Sequence, residues 1–233
     1  MKIENLIPEL KKNGVELPNL DLGKLSQYAA LLKEWNEKMN LTSIVEFEDV
    51  VEKHFLDSLL PCALTDLNGK AIVDIGSGAG FPGMVLALAY PSCQVTLVDA
   101  TKKKFAFLET VKETLQIPNV SFKIGRVEDM KEERETFDVV ISRGFASVPI
   151  FLEVGAPLCK FGGEMILMKG AKGKDELKDG RNAMDILGLR YGKGKPATLP
   201  TAGDIRWNFL LNKVKQTPSK YPRDWAKLLK HPL

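Results

Sequence analysis

Cysteine is scarce in this chain and does not pair in any recognisable way: Cys62, Cys93 and Cys159 are odd in number, far apart and without a CxxC spacing. That excludes a disulfide framework and a cysteine-built zinc site, and predicts reduced, buried thiols of the kind a cytoplasmic protein keeps. Histidine is scarcer still, with only His54 and His231, and no metal centre is expected. No apolar run approaches the roughly 20 residues of a membrane-spanning helix. Glu4 and Glu9 interrupt the apolar residues at the start of the chain, so neither a signal peptide nor a membrane association is expected. A strong net charge is also missing, but the balance of +3 over 233 residues conceals an asymmetry. Residues 1–159 hold 17 Lys and Arg against 23 Asp and Glu, whereas residues 160–233 hold 16 against 7. A basic C-terminal third suits a polyanionic partner, with lysines that merely solvate loops as the plain alternative.

What is present is concentrated between Lys70 and Ala100. An apolar run, Ala71-Ile72-Val73, passes into Asp74-Ile75-Gly76-Ser77-Gly78-Ala79-Gly80-Phe81-Pro82-Gly83; Met84 to Tyr90 reads as a helix, and Val95 to Val98 as a second strand ending on Asp99. Glycines permit positive φ and leave no Cβ between the turn and a ligand. The helix that follows would present unpaired N–H groups to the same space, with Pro82 well placed in its first turn. Asp99 stands where an acid can accept hydrogen bonds from ribose hydroxyls. Two cofactor patterns overlap here. Gly78, Gly80 and Gly83 fit the dinucleotide fingerprint G-x-G-x-x-G; Gly76, Gly78 and Gly80 behind Asp74 fit the G-x-G-x-G of S-adenosylmethionine methyltransferases. Asp74 favours the second, because an acid there can receive the ammonium of a methionine moiety, directly or through water.

Ahead of this stretch the chain reads as helices. Leu22, Leu25, Ala29, Leu32, Trp35 and Met39 recur at helical spacing behind a cap at Asp21, with Asn40 as a terminator. Val50, Val51, Phe55 and Leu59 mark another helix ending near Pro61. His54, Asp57 and Ser58 share a face of it, but side chains on consecutive turns of one helix do not converge as a hydrolase triad must. A local polar network bordering the site is the expectation. Beyond Asp99, Thr101 is a candidate cap for a helix striped with Phe105, Leu108, Val111 and Leu115, and Lys102 to Lys104 read as a solvated face. Further strands are expected at Val120–Ile124, Phe137–Ile141 and Glu164–Met168, with a closing pair near Leu189–Tyr191 and Ile205–Val214. Five βα repeats followed by two strands predict an α/β, doubly wound, mostly parallel seven-stranded sheet. Residues 1–65 would form a helical extension packed on a cofactor domain of residues 66–233. Arg143, at the end of the fourth parallel strand, is the most interesting cation, as either a structural ion-pair partner or a ligand contact.

These residues resemble the RsmG (GidB) family of 16S ribosomal RNA guanine-N7 methyltransferases over nearly the whole chain. The resemblance is carried by Trp35-Asn36 with Asn40-Leu41-Thr42, His54 with Asp57-Ser58-Leu59, the Val73–Gly83 turn, Arg126-Val127-Glu128, and Ser142-Arg143 with Phe145-Ala146-Ser147. It implies S-adenosyl-L-methionine as cofactor and a guanine in the 530 loop of 16S ribosomal RNA or of the small ribosomal subunit as substrate; a cytoplasmic location is the expectation from composition, and a monomer is expected. It also implies a pocket lined by Gly76 and Phe81, with Val127 and Glu128 at the adenine and Arg143 at the junction of cofactor and substrate. With the glycine-turn reading, the expected cofactor residues are Asp74, Gly76, Gly78, Gly80, Phe81, Asp99, Val127, Glu128 and Arg143, with Arg143 also the candidate catalytic residue. The tail departs from the family pattern: after Tyr221-Pro222-Arg223 it runs Asp224-Trp225 and ends His231-Pro232-Leu233 without the usual glycine. A methyltransferase acting on a small molecule or protein, an NAD-dependent oxidoreductase and a non-catalytic RNA-binding module are the alternatives.

Overall fold

The computed structural model describes residues 1–233. Seven strands form one sheet in the order β3-β2-β1-β4-β5-β7-β6. β1 (Ala71–Ile75), β2 (Gln94–Asp99), β3 (Val120–Ile124), β4 (Phe137–Arg143) and β5 (Cys159–Lys169) are parallel, while β6 (Leu189–Thr198) and β7 (Ile205–Lys213) run antiparallel as a hairpin joined to β5 through β7. The strand order reverses between β1 and β4, so the crevice over their carboxyl ends is where this class of sheet receives a ligand.

Alternating side chains of the parallel strands feed opposite faces, as a buried sheet requires. Ile72, Val139 and Ile141 enter a core of 39 buried residues; Val73, Ile75 and Val140 enter a second core of 24. The first face is thicker because the N-terminal helices are added to it. These are α1 (Leu6–Lys12), α2 (Leu22–Met39), α3 (Phe47–Val50), a π-helical stretch over Val51–Leu56, α4 (Asp57–Leu59) and a 3-10 turn through Leu60–Ala63. Asp21 caps α2 by accepting from the Lys24 amide at 2.9 Å, and Asn40 ends it in the left-handed conformation at φ 47°. Tyr28, Leu25, Ala29 and Leu32 are its buried stripe, and they share one core with Phe81 and Leu108. The extension and the sheet therefore fold around a common interior.

α5 (Gly83–Ala89), α6 (Lys102–Thr114) and α7 (Val148–Gly155) follow β1, β2 and β4. Two helices follow β5, α8 (Gly173–Asp179) and α9 (Arg181–Leu187), with Gly180 between them. The βα repeat after β3 is incomplete: only a 3-10 turn, Val127–Asp129, separates β3 from β4. The charged run Lys131–Glu135 has no apolar face with which to cover the sheet, and the C-terminal segment covers it instead. Tyr221 and Leu228, the latter on α10 (Trp225–Lys230), lie in one core with Val127 and Met130. Arg134 fastens this segment by donating to the carbonyls of Tyr221 at 2.9 Å and Thr217 at 2.5 Å. Thr101 stands at the cap position of α6, but its side chain makes no capping bond.

Candidate active site

The turn after β1 takes positive φ at Gly76, Gly78 and Gly80, at 73°, 58° and 91°, conformations that side chains with a Cβ resist. It is stitched to its surroundings. The amides of Gly76 and Ser77 donate to the Val98 carbonyl at 2.8 and 3.1 Å, those of Gly80 and Phe81 to the Ser77 carbonyl, and that of Gly78 to Asp99 Oδ2 at 3.0 Å. Tyr28 ties α2 to the same turn through a 2.6 Å bond from its hydroxyl to the Ala79 carbonyl. The first amide of α5 is also taken: Gly83 N–H donates to Asp74 Oδ2 at 2.8 Å. A Cβ on Gly83 would lie 2.9 Å from that of Asp74, so the glycine is required for helix and strand to touch. The expected presentation of α5's unpaired amides to a ligand therefore does not hold, because Asp74 occupies that position itself.

Beside this turn lies a cavity of about 290 Å³ lined by Gly76, Asp99, Lys104, Val127, Glu128, Gly144, Phe145 and Trp225, among others. Of the residues expected at the cofactor, Gly76, Asp99, Val127 and Glu128 are walls of it. Gly78 and Gly80 shape the turn behind it. Phe81 is 5% exposed and stacks on both Tyr28 and His54, and Asp74 is wholly buried beneath the turn. Burial pushes the Asp74 carboxyl up to about 7, against the opposing pull of the Gly83 amide and Arg143. Its Oδ1 has no partner, nor does the buried hydroxyl of Ser77. Asp99 behaves differently. Burial raises its pKa, but the Thr101 amide at 2.8 Å and the Lys104 ammonium at 3.0 Å outweigh that and hold it below the ordinary value. Lys104, read from the sequence as a solvated side chain, is thus a partner of the acid at the tip of β2.

A second cavity, of about 470 Å³, adjoins the first at Gly144 and is lined by His54, Asp57, Arg143, Lys169 and Arg206 among others. Arg143 belongs to this one. Its Nη1 donates to the Lys53 carbonyl at 3.0 Å and to Asp57 Oδ2 at 3.1 Å, its Nη2 meets His54 Nδ1 at 3.0 Å, and its guanidinium lies 5.3 Å from the centre of the Phe81 ring. Because an arginine only donates, His54 Nδ1 is the acceptor and Nε2 carries the proton toward Thr42 Oγ1, 3.1 Å away. Burial and the Arg143 charge push His54 down to about 3, so it is neutral at physiological pH. The polar network expected of His54 and Asp57 is present, and the π-helical stretch is the segment that carries His54 into it. Asp57 Oδ1 also receives Arg206 Nε at 3.2 Å, so one carboxylate is bracketed by two arginines. Lys169 Nζ donates to the Ala146 carbonyl at 3.0 Å and pairs with Glu176 at 2.9 Å, holding the loop after β4 against the tip of β5. Ser58 is buried with an unpartnered hydroxyl and joins no triad. Arg206 and Trp225 are marked as site residues by no local pattern, since they arrive from β7 and the tail; Phe145 belongs to the Ser142–Ser147 pattern, but only the fold places its ring in the cavity wall.

No helix is long and apolar enough to cross a membrane. The solved structures that resemble this one include YcgJ from Bacillus subtilis, with a TM-score of 0.57 at 15% identity, covering 70% of this chain and all of that one. M. jannaschii TYW2 in complex with AdoMet gives 0.53 at 15%, over 67% of this chain and 74% of that one. A 16S rRNA (adenine(1408)-N(1))-methyltransferase from Catenulisporales acidiphilia gives 0.53 at 15%, over 65% and 88%. At such identities the likeness is one of fold: a Rossmann-like methyltransferase sheet. Sequence similarity reaches further. The ribosomal RNA small subunit methyltransferase G of Staphylococcus aureus strain bovine RF122 / ET3-1 is 39% identical over 226 residues, 96% of this chain and 95% of that one, and that of strain USA300 is 38% identical over the same span. The family model described as rRNA small subunit methyltransferase G matches residues 21–194, a span that includes the glycine turn, both cavities' parallel-strand walls and the His54–Asp57–Arg143 network. The chain belongs to the GidB family, that of rRNA small subunit methyltransferase G.

Proposed function

We propose that this protein transfers the methyl group of S-adenosyl-L-methionine to N7 of a guanine in 16S ribosomal RNA, the guanine lying, as the family resemblance implies, in the 530 loop. The observation that carries the reading is the meeting of two cavities at Gly144: one walled by acids and apolar groups, the other by cations whose neighbouring His54, Asp57 and Glu176 are already engaged by hydrogen bonds or ion pairs. The first suits a nucleoside cofactor. Asp99 has a carboxylate at the tip of β2 that can exchange its Lys104 partner for ribose hydroxyls, Val127 offers an apolar surface, and Gly76 leaves the main chain bare of a Cβ. Bound there, the cofactor supplies an electrophilic sulfonium methyl. Asp74 acts from beneath, fixing the first turn of α5 through the Gly83 amide.

The second cavity suits the guanine. Arg143 and Arg206, at 19% and 21% side-chain exposure, are half-withdrawn from water yet reachable, and they present donors to the O6 edge or a flanking phosphate. N7 of guanine already has an in-plane lone pair, so no proton need be removed before it attacks. His54 is accordingly occupied in orienting Arg143, and Asp57 in holding both arginines; Arg143 positions and does not move protons. Methylation leaves a cationic base, so Asp57, by offsetting the charges of Arg143 and Arg206, limits their repulsion of the product. Catalysis of this kind rests on alignment and electrostatics, and the target base must leave its stack to enter. The basic C-terminal third supplies the attraction for the RNA backbone.

Chemical cleavage at N7-methylguanine in 16S ribosomal RNA, compared between cells with and without the protein, tests this. The expected result is one cleavage site lost with the protein and restored by purified enzyme with S-adenosylmethionine. An unchanged cleavage pattern, or a restored methyl at another atom, refutes the N7 assignment.

A further inference from the structure

We propose that Trp225 is a wall of the purine site, which makes the divergent C-terminal tail part of the cofactor pocket. The inference rests on the cofactor reading above and assigns to it a residue outside the glycine turn and outside the matched family span of residues 21–194. Trp225 lines the 290 Å³ cavity together with Asp99, Val127 and Phe145. Its ring lies 6.2 Å from that of Phe145, tilted by 52°. Phe145 in turn packs against Gly76 so closely that a Cβ there would come within 2.5 Å of its ring. The aromatic pair thus continues the bare backbone of the glycine turn into a broad apolar surface.

The tail holds this surface firmly. Leu228, one turn further along α10, is wholly buried, and Tyr221 on the approach to it is only 6% exposed. Arg223, two residues before Trp225, is clasped by Glu153 of α7: its amide, Nε and Nη2 donate to that carboxylate at 3.0, 2.7 and 2.5 Å. Glu153 is fully buried, and a buried carboxylate without its cation would be strongly disfavoured, so the clasp fixes the tail in one place. The half-buried Trp225 packs one side of its ring against the second core, and the part that lines the cavity offers a purine a large rigid face for stacking that excludes water from the nucleoside. Glu153 and Arg223 are positioning residues for that face.

The test uses the full chain. Replacing Trp35 and Trp207 by Phe leaves Trp225 as the sole tryptophan; titration with S-adenosylhomocysteine should change its emission, saturating at the calorimetric Kd. Trp225→Ala should weaken S-adenosylhomocysteine binding roughly tenfold or more, within the range of a lost base–aromatic stack, and Trp225→Phe by no more than about threefold on the same scale. Adenosine alone should lose the same factor as S-adenosylhomocysteine, because the contact is to the purine. Silent emission on saturation, equal Kd for wild type and a folded Trp225→Ala, or a loss confined to S-adenosylhomocysteine overturns the assignment. If Trp225→Ala does not fold, the emission titration and Trp225→Phe decide. Failure of the wild-type protein to bind S-adenosylhomocysteine would instead overturn the cofactor reading, and this inference with it.

Discussion

The cavity beside Asp99 and the cavity beside Asp57 share Gly144 yet are made of different material. The first is founded on backbone, a turn at positive φ stitched by its own amides beside a carboxylate held by the Thr101 amide, and is closed by the rings of Phe145 and Trp225. The second is side chains from distant segments, Asp57 from the N-terminal extension, Arg143 from β4 and Arg206 from β7, drawn together by charge. A nucleoside common to many enzymes is met by geometry that short sequence can encode, while the RNA target is met by groups that only the finished fold assembles. Three substitutions separate the two halves.

Asp57→Ala should have the largest effect. It removes the carboxylate between two half-buried guanidinium groups and leaves Arg143 without an anion, Arg206 keeping only Asp204 at 3.2 Å, which costs about 3 kcal/mol of stability in urea unfolding and removes most methyl transfer to RNA. Binding of S-adenosylhomocysteine should stay within about twofold of wild type, since none of the Asp99 cavity is touched. A parallel collapse of cofactor affinity would show that the two cavities are not separable.

The next effect is on pH dependence. Burial raises the Asp74 carboxyl to about 7, so the fold favours its protonated form. Its contribution to stability is complete below about pH 4 and is lost as pH rises through about 7. Measured against Asp74→Asn, wild-type stability should fall by roughly 2–4 kcal/mol between pH 4 and pH 8. Taking the difference cancels His54, whose depressed pKa of about 3 gives the opposite slope, stability that is lost as pH falls. A difference that does not vary with pH would refute the buried-acid account of the turn.

The smallest effect belongs to Asp99→Ala, which should weaken S-adenosylhomocysteine about tenfold through loss of a charged acceptor for the ribose. RNA binding, measured at fixed salt, should be unaffected. An unchanged cofactor affinity would mean that Lys104, at 3.0 Å, keeps Asp99 from the ligand.

Much of the fold was readable because its signals are local. The strand–glycine turn–strand run, the Asp21 cap and the αL ending at Asn40 depend on residues within one turn of each other. The missing helix after β3 was not readable, because the segment that replaces it lies in the tail, about ninety residues away, and the two meet only across the core at Val127, Met130, Tyr221 and Leu228. Asp74 was correctly placed on the β1 tip, but not its direction: only the contact with Gly83 decides that its carboxylate caps α5 from below. Lys104 reads as solvated for a similar reason, as a lysine run on a helix looks the same whether or not one member turns toward an acid.

By itself the sequence determined the doubly wound sheet, the place of the glycine turn and the acid at the tip of β2, because periodicity and the freedom of glycine act over a few bonds. Tertiary structure alone decided that Asp57 is shared by Arg143 and Arg206, that His54 is neutral, and that Trp225 reaches the same cavity as Gly76. Those outcomes depend on burial and on charges separated by up to about 150 residues of chain, and neither quantity exists until the strands are paired and water has been displaced.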